Sequence, residues 1–423
     1  MNNLKTATVG TVLFFLLFCT ASFDLTCLVN IKGFSLRISL IIIIFIISFS
    51  FILFIISRRK MLQLPPGIIP LIAWMLFLLL FIPNAPFIMR SLGYWFFCLL
   101  FILFLISSVN IPLLDVKIIN TLYLISFILT ALFGCIQFFG TLAGLNIPFI
   151  RQWVFETANK IPRINGFSYE PSYYATYLIP SLPLACFFLQ NKGKIRILGI
   201  TGCIIIFTAI ILSTSRMGIF AACLYLLFII FPILKKTILS LSRSLQTVVF
   251  FTSIIIITAG LFLFSQTGAW YKIDRKFFFT AEGSLAARRL RSMEVLEIFF
   301  ASPFLGCSLG GVASVLADRN QVTDWSNNTI KNFEGQNIFY ELLAASGLPA
   351  FFLFLLFITI IIFGLLQLLH DSNNKNHDLY QSLLCGLLLQ IFLLIFNQNI
   401  LRVYFWTNIA VIYINITVIS KKK

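Results

Sequence analysis

Repeated apolar runs, each long enough to cross a bilayer, constrain this chain more than any other feature of its sequence. One of them extends from Leu40 to Ile56, and similar runs recur through most of the chain. Hydrophobic residues make up 60% of the 423 residues and charged residues only 11%, whereas a soluble domain is roughly 45–50% apolar. Because lipid offers no partner to backbone polar groups, such runs predict helices. The chain is therefore predicted to be an all-α, polytopic integral membrane protein.

Polar breaks divide the apolar runs into about twelve predicted membrane spans. Lys and Arg in short connections mark the cytoplasmic side of such proteins, and here they fall on one side when the spans are counted alternately. Both termini are therefore predicted to be cytoplasmic, and residues 140–171, 213–216 and 266–335 to lie outside. The predicted spans are residues 7–23, 36–56, 66–82, 91–109, 118–140, 172–190, 197–213, 217–234, 246–265, 338–369, 380–398 and 403–419.

The longest polar segment, 266–337, separates two apolar runs and is too long for a tight connector. Long loops in compact proteins are usually functional. The chain is accordingly divided into four parts: N-terminal helices (1–142), an outer loop with four further helices (143–265), the long outer loop (266–337) and C-terminal helices (338–423). Most of the nine cysteines fall in apolar runs and there are only two histidines, so no metal site and no cofactor is expected. A nucleic-acid partner is not expected either.

The first candidate site is the stretch 163–175, which leads into the sixth predicted span. Pro171 suits the first position of a helix, which places Glu170 at the helix N-terminus, where the helix dipole favours an anion. Arg163, Asn165 and Tyr173 lie around it and can bind sugar hydroxyls and ring faces. A simple capping acid at the membrane surface is the alternative interpretation of Glu170.

Arginines in two outer segments are candidate phosphate ligands, because a guanidinium group matches phosphate oxygens in a two-pronged contact. Arg216 lies in the polar break 213–218, where contact with lipid headgroups is the alternative. Arg288 and Arg291 share one face of a helix that is predicted to begin at Ser284 as its N-cap. Pairing with Glu294 and Glu297 along that helix is the alternative for these two arginines.

The last candidate site lies at the start of the tenth predicted span. Asn337 and Glu341 are one helical turn apart and therefore point the same way, and Gln336 precedes them. A carboxylate at membrane depth is costly, so Glu341 indicates a functional role.

Four short motifs occur in order along the outer side of the chain. They are Asn-Gly-Phe-x-x-Glu-Pro-Ser (165–172), Ser-Arg-x-Gly (215–218), Pro-Phe-Leu-Gly-x-x-Leu-Gly (303–310) and Gln-Asn-x-x-x-Glu-Leu-Leu-x-x-x-Gly-Leu (336–348). In this order and topology the chain resembles the O-antigen ligase and O-antigen polymerase superfamily. Those proteins are bacterial inner-membrane enzymes that move glycans off undecaprenyl pyrophosphate on the periplasmic side.

The resemblance implies a GT-C-like membrane glycosyltransferase fold and an undecaprenyl-pyrophosphate-linked oligosaccharide as substrate. It implies no nucleotide sugar and no obligatory metal, and besides the lipid bilayer its implied partners are a flippase and a chain-length regulator. The ligase branch typically has His-Asn where this chain has Gln336-Asn337, which favours a repeat-unit polymerase. A ligase that transfers glycan to lipid A core or to protein is the first alternative, and a non-enzymatic flippase or transporter is the second.

The resemblance also implies roles for the candidate residues. Arg216, Arg288 and Arg291 are expected to stabilise the leaving pyrophosphate, with Arg163 as a further candidate. Glu170 or Glu341 would orient or deprotonate the acceptor hydroxyl. The remaining candidates, Asn165, Tyr173, Gln336 and Asn337, would bind sugar.

Overall fold

The computed structural model describes residues 2–31, 34–56, 61–111, 115–153, 162–239, 280–322, 333–370, 376–397 and 400–420. Its helices are α1 (Asn2–Thr20), α2 (Ile38–Ile56), α3 (Ile68–Leu80), α4 (Ile88–Asn110), α5 (Val116–Leu142), α6 (Pro171–Leu178), α7 (Ser181–Leu189), α8 (Lys194–Leu212), α9 (Arg216–Leu239), α10 (Thr280–Ala301), α11 (Leu309–Arg319), α12 (Ile338–His370), α13 (His377–Leu394) and α14 (Val403–Ser420). Two antiparallel strand pairs lie in connections: β1 (Cys27–Ile31) with β2 (Phe34–Arg37), and β3 (Gln152–Trp153) with β4 (Pro162–Arg163).

The predicted all-helical membrane architecture is confirmed. Within the described ranges, seven helices are long and apolar enough to cross a membrane, and four shorter apolar helices accompany them. Eleven of the predicted spans overlap one of these segments. The remaining span, 246–265, lies outside the described residues, so the count of twelve stays a prediction. The four shorter helices are Ala7–Thr20, Ile68–Leu80, Arg216–Ile229 and Val403–Thr417.

Helix α14 forms much of the core, because it is mostly apolar and is buried along most of its length. The fully buried indole of Trp406 stacks on Phe101 at 5.2 Å between ring centroids. Buried amide side chains add hydrogen bonds between helices, which stabilise packing where the surroundings are apolar. Asn408 donates to Gln390 of α13 at 2.9 Å, and Asn120 of α5 donates to Asn415 at 2.9 Å.

Helix α12 is kinked at Gly347, whose φ is +66°. Pro349 follows, and it has no N–H to continue the hydrogen-bond ladder of the helix. The backbone groups exposed by the kink bond to the segment before α11: Leu348 N–H donates to the Pro303 carbonyl at 2.8 Å, and Ser308 N–H donates to the Ala345 carbonyl at 2.9 Å. The first turns of α12 are therefore held against that segment.

Two expectations about helix starts have different outcomes. Pro171 is the first residue of α6 and Glu170 is its N-cap, as predicted. The predicted N-cap at Ser284 is wrong, because α10 already begins at Thr280 and Ser284 lies inside it. The helix continues through Gly283, since a single glycine costs a helix only about 1 kcal/mol.

The chain contains two compact units. The first comprises Met1–Ala222 and Val295–Lys423, and the second comprises Cys223–Glu294. The first unit holds most of the apolar helices and most of the candidate residues. The second holds Arg288 and Arg291. The four-part division of the sequence stays a prediction.

Candidate active site

Charged side chains gather at one end of the helical bundle in the first unit, where the connections after α1, α5, α8 and α13 lie. This polar end brings together Asp24 after α1, Arg37 before α2, Arg90 in α4 and Arg402 before α14. Alternating helix direction places all these connections at the same end. Sequence-distant residues thus form one charged surface.

The centre of the polar end is an ion triad formed by Asp24, Arg37 and Arg402. Both guanidinium groups donate to the same carboxylate oxygen, Asp24 Oδ1, each at 2.8 Å. The Asp24 side chain is only 3% exposed, while Arg37 and Arg402 are 19% and 10% exposed. The Arg402 guanidinium also lies over the ring of Tyr173, 4.4 Å from its centroid. Cation–π contact and ion pairing therefore both hold Arg402 in place.

The electrostatics of the triad reflect two cations that share one anion. Burial lowers the pKa of Arg37 below its usual value, and the Asp24 carboxylate offsets only part of this effect while Arg402 adds to it. Burial also acts to lower the pKa of Arg402, but the Asp24 carboxylate together with Tyr173 and Tyr404 outweighs it, and that pKa lies above its usual value. Both guanidinium groups stay protonated at any physiological pH.

Arg90 forms a second charged cluster with Tyr94, Glu334 and Glu341. Arg90 is fully buried and donates to Glu334 Oε1 at 2.6 Å and to the Tyr94 hydroxyl at 2.7 Å. Glu341, in the first turn of α12, is 2% exposed and acts electrostatically on Arg90. A buried ion pair requires such additional hydrogen bonds, because taking the charges out of water is expensive. Arg90 thus fixes Glu334 next to the start of α12.

The loop that begins the first motif holds the Asp24 segment in position. The Phe167 carbonyl accepts hydrogen bonds from the N–H groups of Asp24 and Leu25, both at 3.1 Å. Asn165 is buried and donates to the Ser168 carbonyl at 2.6 Å, and Ser168 Oγ donates to the Ser22 carbonyl at 3.3 Å. Asn165 therefore stabilises the loop that positions Asp24.

Glu170 and Tyr173 lie on the first turn of α6 near the triad. Glu170 is half-buried and accepts a hydrogen bond from Ser172 Oγ at 3.2 Å, and its side chain does not cap the helix. Its carboxylate and that of Glu334 both act electrostatically on Tyr173. Tyr173 therefore contacts Arg402 of the triad and is also close enough to Glu170 for an electrostatic effect.

A hydrogen bond joins the residues just before the Ser-Arg-x-Gly motif to those just before the first motif. Arg163 Nε donates to Thr214 Oγ1 at 2.7 Å. Arg216 is exposed at the start of α9, and Gly218 lies two residues on, where a Cβ atom would come within 2.5 Å of Ala175 Cβ in α6. The absence of a side chain at Gly218 lets α9 approach α6 and places Arg163 and Arg216 in neighbouring segments.

The other predicted residues differ in their contacts and in how far they are buried. Arg291 pairs with Glu294 along α10 at 2.8 Å, which is the alternative that the spacing left open, and the side chain of Arg288 lies outside the described part of the structure. Asn337 caps α12, because its Oδ1 accepts from the N–H groups of Phe339 and Tyr340 at 2.9 and 3.3 Å. Gln336 is half-buried beside it.

Within the described residues, no group of three or more His, Cys, Asp or Glu side chains is arranged to hold a metal ion. The chemistry that these residues can perform is binding of anions by arginine and of protons by carboxylates. Both kinds of group are present at the polar end.

Comparison with known proteins agrees with the motifs. Residues 201–355 match the model of a protein family described as O-antigen ligase. The match confirms the resemblance to the O-antigen ligase and polymerase superfamily. Three of the four motifs, 215–218, 303–310 and 336–348, lie inside the matched segment, and the first, 165–172, precedes it. No curated protein gives a significant match to the chain.

Four charged residues that the structure places at the polar end were not predicted from the sequence. Asp24, Arg37, Arg90 and Arg402 lie outside the motifs and outside the matched segment. Arg90 and Arg402 stand immediately before the predicted spans 91–109 and 403–419, where an arginine side chain can reach lipid headgroups, so no local pattern sets them apart.

Proposed function

We propose that this chain is a polysaccharide polymerase of the bacterial inner membrane that joins undecaprenyl-pyrophosphate-linked repeat units on the periplasmic face. The observation that carries the proposal is the polar end, where arginines and carboxylates from distant parts of the chain meet at one end of an apolar bundle. A lipid-linked substrate presents its pyrophosphate at that level, with its tail in the bilayer. The family match supports an O-antigen type of function.

The proposed reaction breaks the bond between the anomeric carbon of the donor and its pyrophosphate oxygen. The acceptor hydroxyl oxygen forms the new bond, the pyrophosphate leaves with the electron pair, and the hydroxyl proton passes to a carboxylate. Negative charge therefore grows on the leaving group. Arg216 suits this role because it is exposed at the first position of α9, where the helix dipole also favours an anion. Arg163 lies beside it through its bond to Thr214. Arg288 and Arg291 remain further candidates.

Glu170 is the carboxylate that suits proton transfer better. It is half-buried at the start of α6, so a sugar hydroxyl can reach it. Glu341 is 2% exposed and belongs to the Arg90 cluster, where its carboxylate is better suited to act as a fixed negative charge beside Arg90. Tyr173 and Gln336 are then the candidates for contact with sugar, while Asn165 and Asn337 support the backbone around them.

The polymerase interpretation is supported over a ligase by Gln336. A neutral amide donates and accepts hydrogen bonds but does not take up a proton near neutral pH, unlike a histidine at the same place. A ligase that transfers glycan to lipid A core or to protein remains the second candidate. A flippase or transporter is disfavoured, because such proteins usually place their binding residues at mid-membrane depth.

Purified protein given lipid-linked repeat units, without nucleotide sugar and with a chelator, is expected to produce a ladder of products. Deletion of the gene for this chain should leave cells with single repeat units, because flipping and ligation continue without elongation.

The Glu170→Gln variant should reduce the amount of ladder product at least about a hundredfold, in line with the usual contribution of general base catalysis. Gel analysis of labelled glycans measures the ladder of products, the single repeat units and the loss in the variant.

Two other outcomes would identify the alternatives. Long chains stranded on undecaprenyl pyrophosphate after deletion would indicate a ligase, and unpolymerised units on the cytoplasmic side would indicate a flippase. A strict requirement for a nucleotide sugar, or no ladder with an authentic substrate, would contradict the polymerase proposal.

The proposed orientation places the polar end in the periplasm. Reporter fusions after Lys194 are expected to be active in the cytoplasm, and a fusion at Asn320 is expected to be active in the periplasm, because Lys and Arg in short connections resist translocation. Alkaline phosphatase and fluorescent-protein fusions measure the two cases. A cytoplasmic signal at Asn320 would put the polar end on the wrong side for a periplasmic reaction.

A further inference from the structure

The Asp24, Arg37 and Arg402 triad has more positive than negative charge. Two guanidinium groups donate to the same oxygen of one carboxylate, and its other oxygen, Asp24 Oδ2, is buried without a hydrogen-bond partner among the residues that the structure describes. In the strongest arginine–carboxylate contacts, one guanidinium group uses both carboxylate oxygens. The arrangement leaves one guanidinium charge to be neutralised by another anion.

The two arginines of the triad are more exposed than its carboxylate: Asp24 is 3% exposed, whereas Arg37 and Arg402 are 19% and 10% exposed. Two nearby carboxylates have other contacts: Glu334 pairs with Arg90 at 2.6 Å, and Glu170 accepts a hydrogen bond from the neutral Ser172 hydroxyl. An oxyanion that reaches the triad would meet two guanidinium groups that share one carboxylate oxygen.

The triad also has fixed geometry. Tyr173 supports the Arg402 guanidinium from one side, and the Phe167 carbonyl holds the backbone of Asp24. An arginine that is already ordered loses little entropy when it binds an anion. Tyr173 and the Glu170 carboxylate lie on the same first turn of α6, so a ligand at the triad would extend toward the proposed base.

We propose that Arg37 and Arg402 bind the pyrophosphate of the acceptor lipid. The proposal rests on the proposed function, because a polymerase handles two lipid-linked pyrophosphates at once, one on the donor and one on the acceptor. Transfer of glycan to lipid A core or to protein requires only one. Arg163 and Arg216 take the donor pyrophosphate, which leaves, and the triad takes the acceptor pyrophosphate, which stays intact. The two sets lie in different connections of the chain.

The number of bound pyrophosphates tests this assignment. Undecaprenyl pyrophosphate without sugar is the probe, and native mass spectrometry of the full chain in nanodiscs counts bound molecules. The wild type is expected to bind two, and Arg37→Gln and Arg402→Gln are expected to bind one. The matched control is Arg196→Gln, which removes an exposed arginine at the opposite end of the bundle and should still bind two.

Two further variants separate binding from stability. Arg37→Lys keeps the charge and the pairing with Asp24 but loses the two-pronged contact, so the second molecule should bind about tenfold more weakly in a protein that folds. Asp24→Asn removes the competing anion, so the second molecule should bind about tenfold more tightly, equivalent to roughly 1.4 kcal/mol. A purely structural triad predicts lower stability and unchanged affinity for both variants.

Other results would overturn the assignment. One bound molecule in the wild type, or two in both Arg37→Gln and Arg402→Gln, would remove the second site. Displacement of the second molecule by excess phosphatidylglycerol would show a phospholipid headgroup site instead. Failure of the proposed function has a different signature, which is a wild-type protein that makes no ladder whatever its number of bound pyrophosphates.

Discussion

Replacement of Gly306 by alanine is expected to prevent the chain from accumulating as a folded membrane protein. A Cβ atom at this position would lie 1.9 Å from the carbonyl oxygen of Ala345 and 2.4 Å from its carbonyl carbon. These are backbone atoms of α12 and have no rotamer by which to move away. Overpacking by a methyl group usually costs about 1–3 kcal/mol, and a backbone clash lies at or above that range. Membrane content and thermal stability in detergent measure the loss.

Gly364→Ala provides the matched control, because the same atom is added in the same region of the chain. At Gly364, in α12, the nearest heavy atom to a new Cβ is 3.8 Å away, which is an ordinary contact. Alanine also favours a helix over glycine by roughly 0.5–1 kcal/mol. Gly364→Ala is therefore expected to be as stable as the wild type. Equal stability of Gly306→Ala would show that the segment before α11 does not approach α12 as closely as described.

Replacement of Arg90 by alanine is expected to destabilise the protein by about 3–5 kcal/mol, because it leaves Glu334 and Glu341 without their buried cation. Arg90 is fully buried, and its pair with Glu334 is 2.6 Å long. Loss of this pair also releases the segment before Asn337, so activity should fall even in protein that remains folded. The shift in unfolding temperature and the ladder assay measure the two consequences.

Arg319→Ala is the control for Arg90, since Arg319 also pairs with a glutamate, Glu297, but at 3.9 Å and with both side chains largely exposed. Exposed pairs contribute about 0–1 kcal/mol, so its stability should hardly change. The double variant Arg90→Ala with Glu334→Ala should recover part of the loss, because one unpaired carboxylate is then removed. A double variant no better than Arg90→Ala would mean that Glu341 or packing dominates.

The motif residues illustrate how far the sequence predicted the candidate site. Pro171 and Glu170 were placed correctly at a helix start, because proline has no N–H to lose there and its backbone angle suits the first turn. The spacing of Asn337 and Glu341 likewise predicted one turn, and Asn337 proves to be the cap of α12. The spacing at Arg291 left two interpretations open, and pairing with Glu294 is the one observed.

The triad could not be predicted from the sequence, and the reason is physical. Asp24 and Arg37 are near the start of the chain and Arg402 is near its end, and no local pattern relates such distant positions. Their meeting depends on α14 packing among α1, α4 and α5, which is decided by side-chain shape and by buried amides such as Asn120 and Asn415.

The sequence by itself determined the helical membrane class, because lipid requires each long apolar run to satisfy its own backbone hydrogen bonds. It also determined several helix starts, since proline and capping side chains act within one turn. Only the tertiary structure decided which charges meet. A buried charge at the polar end is tolerated because it has a partner of opposite charge. Arg90 pairs with Glu334, and Arg402 pairs with Asp24. The members of each pair lie hundreds of residues apart in the sequence, and only the packed bundle brings them together.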